Sequence, residues 1–508
     1  MAQAMDNPGI AVEHLSFSYP DYPGMPGRPV LAGLDLRVDG GRIALLLGAA
    51  DEGKTTLARI LGGLVPRFTG GTIAGSILAG GADVRRIPPY ELVERVGLVF
   101  QHPDEQIVGT RCDAEVAFAL ESLGIDARTM ERRVRDALDL LGLAGFAGRN
   151  PATLSGGEKK RLLLACLEAL DPAVWVLDEA FEELDPSWRV AVLDRLRARG
   201  RTALVFDSRW ATVFEGRADL HAVLSAGSVH GLAEDSGAAG LHAAMAAGGI
   251  LPPDGRVGAP VGSTPVPYLR ARGLSFAFPG AGAFSLDVEG IELERDAVTA
   301  LVGPNGSGKS TLARLLCGLL VPSRGSVEVD RGRGFMPAAA PELNRLVGYL
   351  FQDPDHQIFL PTIHDELALS LRASGARKDD AERRIEESIE RFGLPPGATP
   401  PALMSHGSRK VLQAAACRLL GRPLLILDEA DAGLSYRRFL ALLEKLREGG
   451  AGILLVTHDA ALARAVAARV LAMDGGRIVA DERHGGIDRA LAAGGLAGCG
   501  TVVGGCAS

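Results

Sequence analysis

One glycine-rich loop occurs twice in this chain, each time between a run that reads as a buried strand and a run that reads as a helix. Gly48-Ala49-Ala50-Asp51-Glu52-Gly53-Lys54-Thr55 follows Ile43–Leu47 and precedes Thr56–Leu61. Gly303-Pro304-Asn305-Gly306-Ser307-Gly308-Lys309-Ser310 follows Val298–Val302 and precedes Thr311–Leu316. Both fit the phosphate-cradling pattern G-x-x-x-x-G-K-[ST] in the strand–loop–helix context it requires. Glycine lets backbone N–H groups approach phosphate oxygens, the helix N-terminus favours negative charge, the lysine neutralises phosphates, and the hydroxyl holds Mg²⁺. The expected phosphate contacts are therefore Gly48, Gly53, Lys54, Thr55 and Thr56 in one half, and Gly303, Asn305, Gly306, Gly308, Lys309, Ser310 and Thr311 in the other.

The duplication extends beyond the loops. Lys54 and Lys309 lie 255 positions apart, Gln101 and Gln352 lie 251 apart, and Ser155/Ser405 and Asp178/Asp428 lie 250 apart, in the same order. A repeat of this length is a duplicated domain. It spans 8–232 and 267–484, with a Gly/Ala/Pro-rich linker at 233–266 that carries a short helix near Leu241–Ala247, and a loosely ordered tail at 485–508. With 508 residues, 47% hydrophobic and 23% charged, the chain has enough apolar text for two cores. A net charge of −8 offers no basic surplus for nucleic acid. The six cysteines (Cys112, Cys166, Cys317, Cys417, Cys499, Cys506) show no zinc or disulfide spacing and read as reduced thiols. No apolar run approaches the ~18 residues that span a bilayer, so any membrane role requires docking on a partner.

Further motifs recur in both halves. Val96–Gln101 and Val347–Gln352 read as strands ending in glutamine. Met130–Leu141 and Asp380–Phe392 are amphipathic helical text. Leu154-Ser155-Gly156-Gly157-Glu158 opens a helix through Leu170. The apolar runs Val174–Leu177 and Leu424–Leu427 end in the acid pairs Asp178-Glu179 and Asp428-Glu429. A fully apolar strand ending in two acids is a buried parallel strand with its functional end at the carboxyl edge. Asp178 and Asp428 suit Mg²⁺, together with Gln101 and Gln352. Glu179 and Glu429 suit a water that attacks phosphate.

This ordered set resembles the ATP-binding cassette (ABC) ATPases over nearly the whole chain. The resemblance implies an α/β fold of two tandem P-loop cassettes, each with a RecA-like core, an antiparallel β subdomain and a helical subdomain, with ATP and Mg²⁺ as cofactors. It also implies head-to-tail pairing, in which each ATP meets the phosphate loop of one cassette and the signature serine and glycines of the other. Tyr19 and Phe278 match the family's adenine-stacking aromatic, although Phe278 reads equally as an ordinary core aromatic. The halves differ: the first has the intact signature and Asp185, but Ser208 stands where the second has His458, and Asp51 stands where the second has Gly306. The second has an altered signature, Met404-Ser405-His406-Gly407-Ser408, and Ser435 in place of Asp185. Head-to-tail pairing would join Lys309, Ser310, Gln352, Asp428, Glu429 and His458 to Ser155, Gly156, Gly157 and Asp185, all intact. The other site would join Lys54, Asp178, Glu179 and Ser208 to Ser405, His406, Gly407 and Ser435. The first would hydrolyse ATP, with Glu429, His458 and Gln352 in catalytic roles. The second, with Glu179, would hold nucleotide or turn over slowly.

Phe100-Gln101-His102-Pro103-Asp104-Glu105-Gln106-Ile107 and Phe351-Gln352-Asp353-Pro354-Asp355-His356-Gln357-Ile358 look like the glutamine-loop text of energy-coupling-factor ATPases. That implies a role in uptake of a vitamin, a vitamin precursor, cobalt or nickel at the cytoplasmic face of the cell membrane. The implied partners are a transmembrane coupling subunit and a small substrate-binding membrane subunit. Asp113, Glu115, Asp365 and Glu366 early in the next helix either face basic residues of that partner or suit the helix dipole. The competing readings are the tandem ATPase of a sugar or nucleoside importer and a tandem translation factor. The second is disfavoured because the linker has three acids and one base.

Overall fold

The computed structural model describes residues 8–20, 29–182, 184–234, 239–253, 266–278 and 285–496. The chain divides into two compact units, Met1–Leu251 and Pro252–Ser508. Each unit has the same two sheets. In the first, a six-stranded sheet runs in the spatial order Ser228–Ala233, Leu220–Ser225, Ile43–Leu47, Thr202–Asp207, Val174–Asp178, Val96–Val99. In the second, the order is Arg477–Arg483, Arg469–Asp474, Val298–Val302, Gly452–Val456, Leu424–Asp428, Val347–Leu350. All neighbours are parallel except the outermost hairpin of each sheet. The central strands are covered on both faces, and for that reason their sequences are continuously apolar rather than alternating. Ile43–Leu47, Val298–Val302 and Leu424–Asp428 are buried at every position.

A four-stranded antiparallel sheet lies beside each core sheet: Pro29–Asp39, Pro8–Ser18, Thr72–Ala79, Ala82–Asp83, and Ser285–Arg295, Val266–Ala277, Arg324–Asp330, Phe335–Pro337. The third part is helical. Cys112–Ser122, Ala127–Leu140 and Gly156–Leu170 share one apolar cluster through Val116, Leu120, Val134, Leu138 and Leu162. Ile363–Ser374, Lys378–Phe392 and His406–Leu419 repeat the arrangement, with Leu367, Leu371, Ile385 and Leu412 buried. The α/β reading and the three parts of each cassette are thus present in both units.

Two stretches differ from the sequence reading. The helix expected within the linker spans Ala239–Gly248 and packs on the first unit. Leu241, Met245 and Ile250 are buried in its main core, and Trp210 N donates to Ile250 O at 3.1 Å. Leu241 and Met245, one turn apart, give the helix an apolar face, and Ile250 just beyond its end adds to it. The tail, expected to be loose, forms a helix at Ile487–Ala493. Its Ile487, Ala490 and Leu491, with Leu496 beyond it, join the cluster that covers Val302 and Ala472. The remainder of the linker (235–238, 254–265) and of the tail (497–508, with Cys499 and Cys506) lies outside the described residues, as does Glu183.

Candidate nucleotide site

Both phosphate loops end at a glycine in the left-handed region, Gly53 at φ 98° and Gly308 at φ 101°, each preceding the first helical residue. Gly303 permits a close crossing: a Cβ there would lie 2.1 Å from Met473 O. Each lysine folds back over its own loop. Lys54 Nζ donates to Gly48 O (2.6 Å) and Ala49 O (2.9 Å), and Lys309 Nζ to Gly303 O (2.9 Å) and Pro304 O (3.0 Å). Lys54 Nζ also lies 3.3 Å from Glu179 Oε1, both side chains being buried. Asp51 occupies the backbone conformation of Gly306, φ 74° against 77°. Aspartate is one of the few residues that visits that region routinely. Glu52 turns out of the loop and accepts from Ala226 N at 2.6 Å.

The acid pairs end the central strands as expected. Glu179 and Glu429 both sit at φ 48°, strained for a side chain of this size, and repeat of that strain at matching positions points to a site held for function. Gln101 Nε2 donates to Glu179 Oε2 (2.5 Å) and Gln352 Nε2 to Glu429 Oε2 (3.1 Å). His458 Nε2 stands 2.8 Å from Glu429 Oε1. Burial by itself would raise the Glu429 carboxyl, but the charge and hydrogen bond of His458, with Lys309 and Lys410, outweigh it and hold it below its ordinary value. In the first unit Ser208 fills the matching position and is buried. Beside it, Asp207 is pushed up to about 6 by burial and by Glu179. Glu429 thus has an imidazole beside it in the second unit, where Glu179 has a second carboxyl nearby in the first.

The metal positions also differ. Ser310 Oγ donates to Asp428 Oδ1 at 3.0 Å and Tyr349 OH donates to Oδ2 at 2.5 Å. Asp178, buried, has only Thr55 as a side-chain donor among the described residues. A buried carboxylate with so few donors is what a hydrated cation would satisfy. Ser307 Oγ, buried in the second phosphate loop, has no hydrogen-bond partner among the described residues. Among the described residues no group of three or more His, Cys, Asp or Glu could hold a metal by itself. The hydroxyl, amide and carboxylate sets Ser310/Gln352/Asp428 and Thr55/Gln101/Asp178 suit Mg²⁺ that is held mainly by phosphates and water.

Ser155 caps its helix in a reciprocal box: its Oγ accepts from Glu158 N (3.4 Å), and Glu158 Oε2 accepts from Ser155 N (2.8 Å). This leaves Gly156 and Gly157 at the helix N-terminus, as phosphate recognition there requires. Ser405 caps in the same way through Ser408 N (3.1 Å), but Ser408 cannot close the box, and its Oγ instead accepts from Arg438 at 3.1 Å. Gly407 is buried in the first turn of that helix, after His406. Asp185 starts the helix Pro186–Ala198 without a side-chain cap bond, leaving its carboxylate for other work, whereas Ser435 caps Tyr436–Arg447 through Arg438 N. Tyr19 leans on its core and its hydroxyl lies 3.2 Å from Thr56 Oγ1. Phe278 is 41% exposed, edge-on to Phe276.

The acids after the glutamine loops are otherwise engaged. Glu115 Oε2 accepts from Val108 N (3.0 Å) and Gly109 N (2.5 Å), and Glu366 Oε2 from Phe359 N (3.2 Å) and Leu360 N (3.0 Å); both glutamates are buried. Asp113 pairs with Arg111, and Asp365 is bound to Thr362. Glu115 and Glu366 therefore do not face a partner; each anchors the loop before its helix. Gln106 and Gln357 pin the other end, accepting from Phe100 N at 3.1 Å and Phe351 N at 3.5 Å. Between the two clasps Val108 and Phe359 project outward, 68% and 69% exposed.

Sequence reasoning missed three more groups. Lys160, fully buried in the signature helix, donates to Phe100 O, Gln101 O and Glu179 O, tying glutamine loop to acid pair. Lys410 reaches Ala432 O (2.6 Å) and Glu429 O (3.4 Å). Tyr349 is the third. The signal was present: a lysine on an apolar helical face and a hydroxyl on an apolar strand each need a buried partner.

A family model described as ABC transporter matches residues 31–182 and 287–432. A relative named as an ABC transporter ATP-binding protein of Streptomyces avermitilis is 33% identical, covering 89% of this chain and 91% of its own. Another so named, from Methanosarcina mazei, is 30% identical over 94% of this chain and 95% of its own. Among solved structures, a chain in that of ribosome-bound archaeal Pelota and ABCE1 shares the fold, with TM-score 0.64 and 19% identity over 94% of this chain and 80% of that one.

Proposed function

The chain belongs to the ABC transporter family as a tandem-cassette ATPase, and from that premise we propose that it is the ATP-hydrolysing subunit of an energy-coupling-factor importer for a vitamin, a vitamin precursor, cobalt or nickel. The observation that carries this reading is the F-Q-x-P-D-x-Q-I text present in both halves. Its two glutamines do separate jobs: Gln101 and Gln352 touch the acids beside the phosphates, and Gln106 and Gln357 pin the loop. The exposed Val108 and Phe359 at the loop's far end suit docking of an apolar coupling helix. Among the described residues no helix is long and apolar enough to cross a membrane, so the membrane path belongs to partners: a transmembrane coupling subunit and a small substrate-binding membrane subunit. The chain then works at the cytoplasmic face of the membrane.

The reading includes head-to-tail pairing of the cassettes and unequal sites. Bound ATP would lie along Gly303–Thr311 and against Ser155, Gly156, Gly157 and Asp185. Mg²⁺ would be held by Ser310, Gln352 and Asp428, where it neutralises phosphate charge. Glu429 orients and accepts a proton from the attacking water, and His458 holds Glu429 anionic. The site of Lys54, Thr55, Gln101, Asp178 and Glu179 lacks the histidine and meets the altered signature, so it retains nucleotide rather than turning it over.

Isolation of the tagged chain from its native membranes in mild detergent, with partners identified by mass spectrometry, tests the importer reading. A multi-helix coupling subunit recovered with one small membrane protein supports it. A conventional sugar permease, or ribosomes, would overturn it.

A further inference from the structure

We infer that Tyr349 is a positioning residue for the metal site of the second cassette: its hydroxyl fixes the Asp428 carboxylate, and its absence from the first cassette is a separate source of the inequality between the sites. This rests on the reading that Asp428 serves Mg²⁺. Tyr349 lies on the strand Val347–Leu350, beside the strand that ends in Asp428, with Tyr349 opposite Ile426. The side chain is buried, and its hydroxyl is 2.5 Å from Asp428 Oδ2. Ser310 Oγ holds Oδ1 at 3.0 Å. With a donor on each oxygen the carboxylate plane cannot rotate, and the lone pairs left over point in a fixed direction.

The equivalent residue in the first cassette is Leu98, at the same place in Val96-Gly97-Leu98-Val99. Leu98 offers Asp178 no hydroxyl, so the buried Asp178 has only the phosphate-loop Thr55 as a side-chain donor among the described residues. The chain thus carries an internal comparison: the corresponding strand and acid, with and without the tyrosine hydroxyl. Outer partners that orient the ligands of a metal commonly govern its affinity by tenfold or more.

The test is Mn²⁺ binding to the full chain with a non-hydrolysable ATP analogue, read by electron paramagnetic resonance, in a Thr55→Ala background that removes the first cassette's metal hydroxyl. Tyr349→Phe, which deletes only the hydroxyl, should weaken Mn²⁺ by about tenfold. Binding of a fluorescent ATP analogue in EDTA should stay within about twofold, since no phosphate contact changes. Unchanged Mn²⁺ affinity overturns the inference. Loss of nucleotide binding in EDTA also overturns it, in favour of a merely structural tyrosine. If the Tyr349-containing parent binds no Mn²⁺ with nucleotide, the metal reading of Asp428 itself is wrong.

Discussion

Removing the Glu366 carboxylate should loosen one loop without unfolding the cassette. Its Oε2 accepts two backbone N–H groups, from Phe359 at 3.2 Å and Leu360 at 3.0 Å. A hydrogen bond to a charged group contributes about 1.5–3 kcal/mol. Both bonds end on one oxygen, and Phe359 is largely exposed, so water replaces part of what is lost. About 2 kcal/mol in all is a reasonable value for Glu366→Ala, equivalent to about 30-fold in the local opening equilibrium. Glu366→Gln keeps an acceptor for both amides and loses only the charge assistance, about half the energy, or about fivefold. Hydrogen exchange followed by mass spectrometry on peptides covering 355–366 reads this directly, because exchange tracks the opening equilibrium. The expected order is wild type slowest, then Gln, then Ala, with peptides from the core strand Leu424–Asp428 unchanged. Equal exchange in all three proteins would refute the anchor, and acceleration throughout the unit would show that Glu366 supports the fold rather than the loop.

Three other outcomes follow from the same geometry. In the assembled complex Glu429→Gln should reduce ATPase at least tenfold while Glu179→Gln changes it by less than about twofold; equal losses would refute unequal sites. Burial, with Glu179 adding to it, raises the Asp178 carboxyl from 3.8 to about 6, so the folded state binds that proton more tightly than the unfolded chain and stability falls as pH rises between those values. Asp178→Asn should remove that cost, about 3 kcal/mol, and raise the melting temperature of the nucleotide-free first unit near pH 7.5 but not near pH 4; a lower melting temperature at neutral pH would count against it. Leu491→Ala, in the helix after the second core sheet, should cost the second unit about 3 kcal/mol in denaturant unfolding because the side chain is fully buried; no change would mean that this helix is dispensable to the core.

Much of this molecule is legible along the chain. Apolar runs of five residues, glycine loops ending in Lys-Thr or Lys-Ser, and acids at strand ends are local patterns, and local patterns fix strands, turns and phosphate loops. Because the pattern occurs twice in one order, the double cassette also follows from sequence, as does the presence of intact and altered motifs in each half. The sequence could not say where a side chain's hydrogen bonds end, since those partners are distant in sequence. Glu115 and Glu366 could be read along the chain as partner-facing acids or as acids suited to a helix dipole; in the structure each holds backbone amides six or seven residues upstream. Lys160 spans 60 residues to Phe100 O, and Tyr349 spans 79 to Asp428. Gly/Ala-rich text at 239–251 and 487–496 looked like linker and tail because glycine and alanine supply little apolar signal. In the structure a few leucines and isoleucines there close exposed edges of the two cores. Chain-local chemistry thus determined the two phosphate loops and the acid pairs at the strand ends, whereas burial, which depends on what the fold brings alongside, decided which polar groups hold the loops, which orient the acids, and which segments belong to the core.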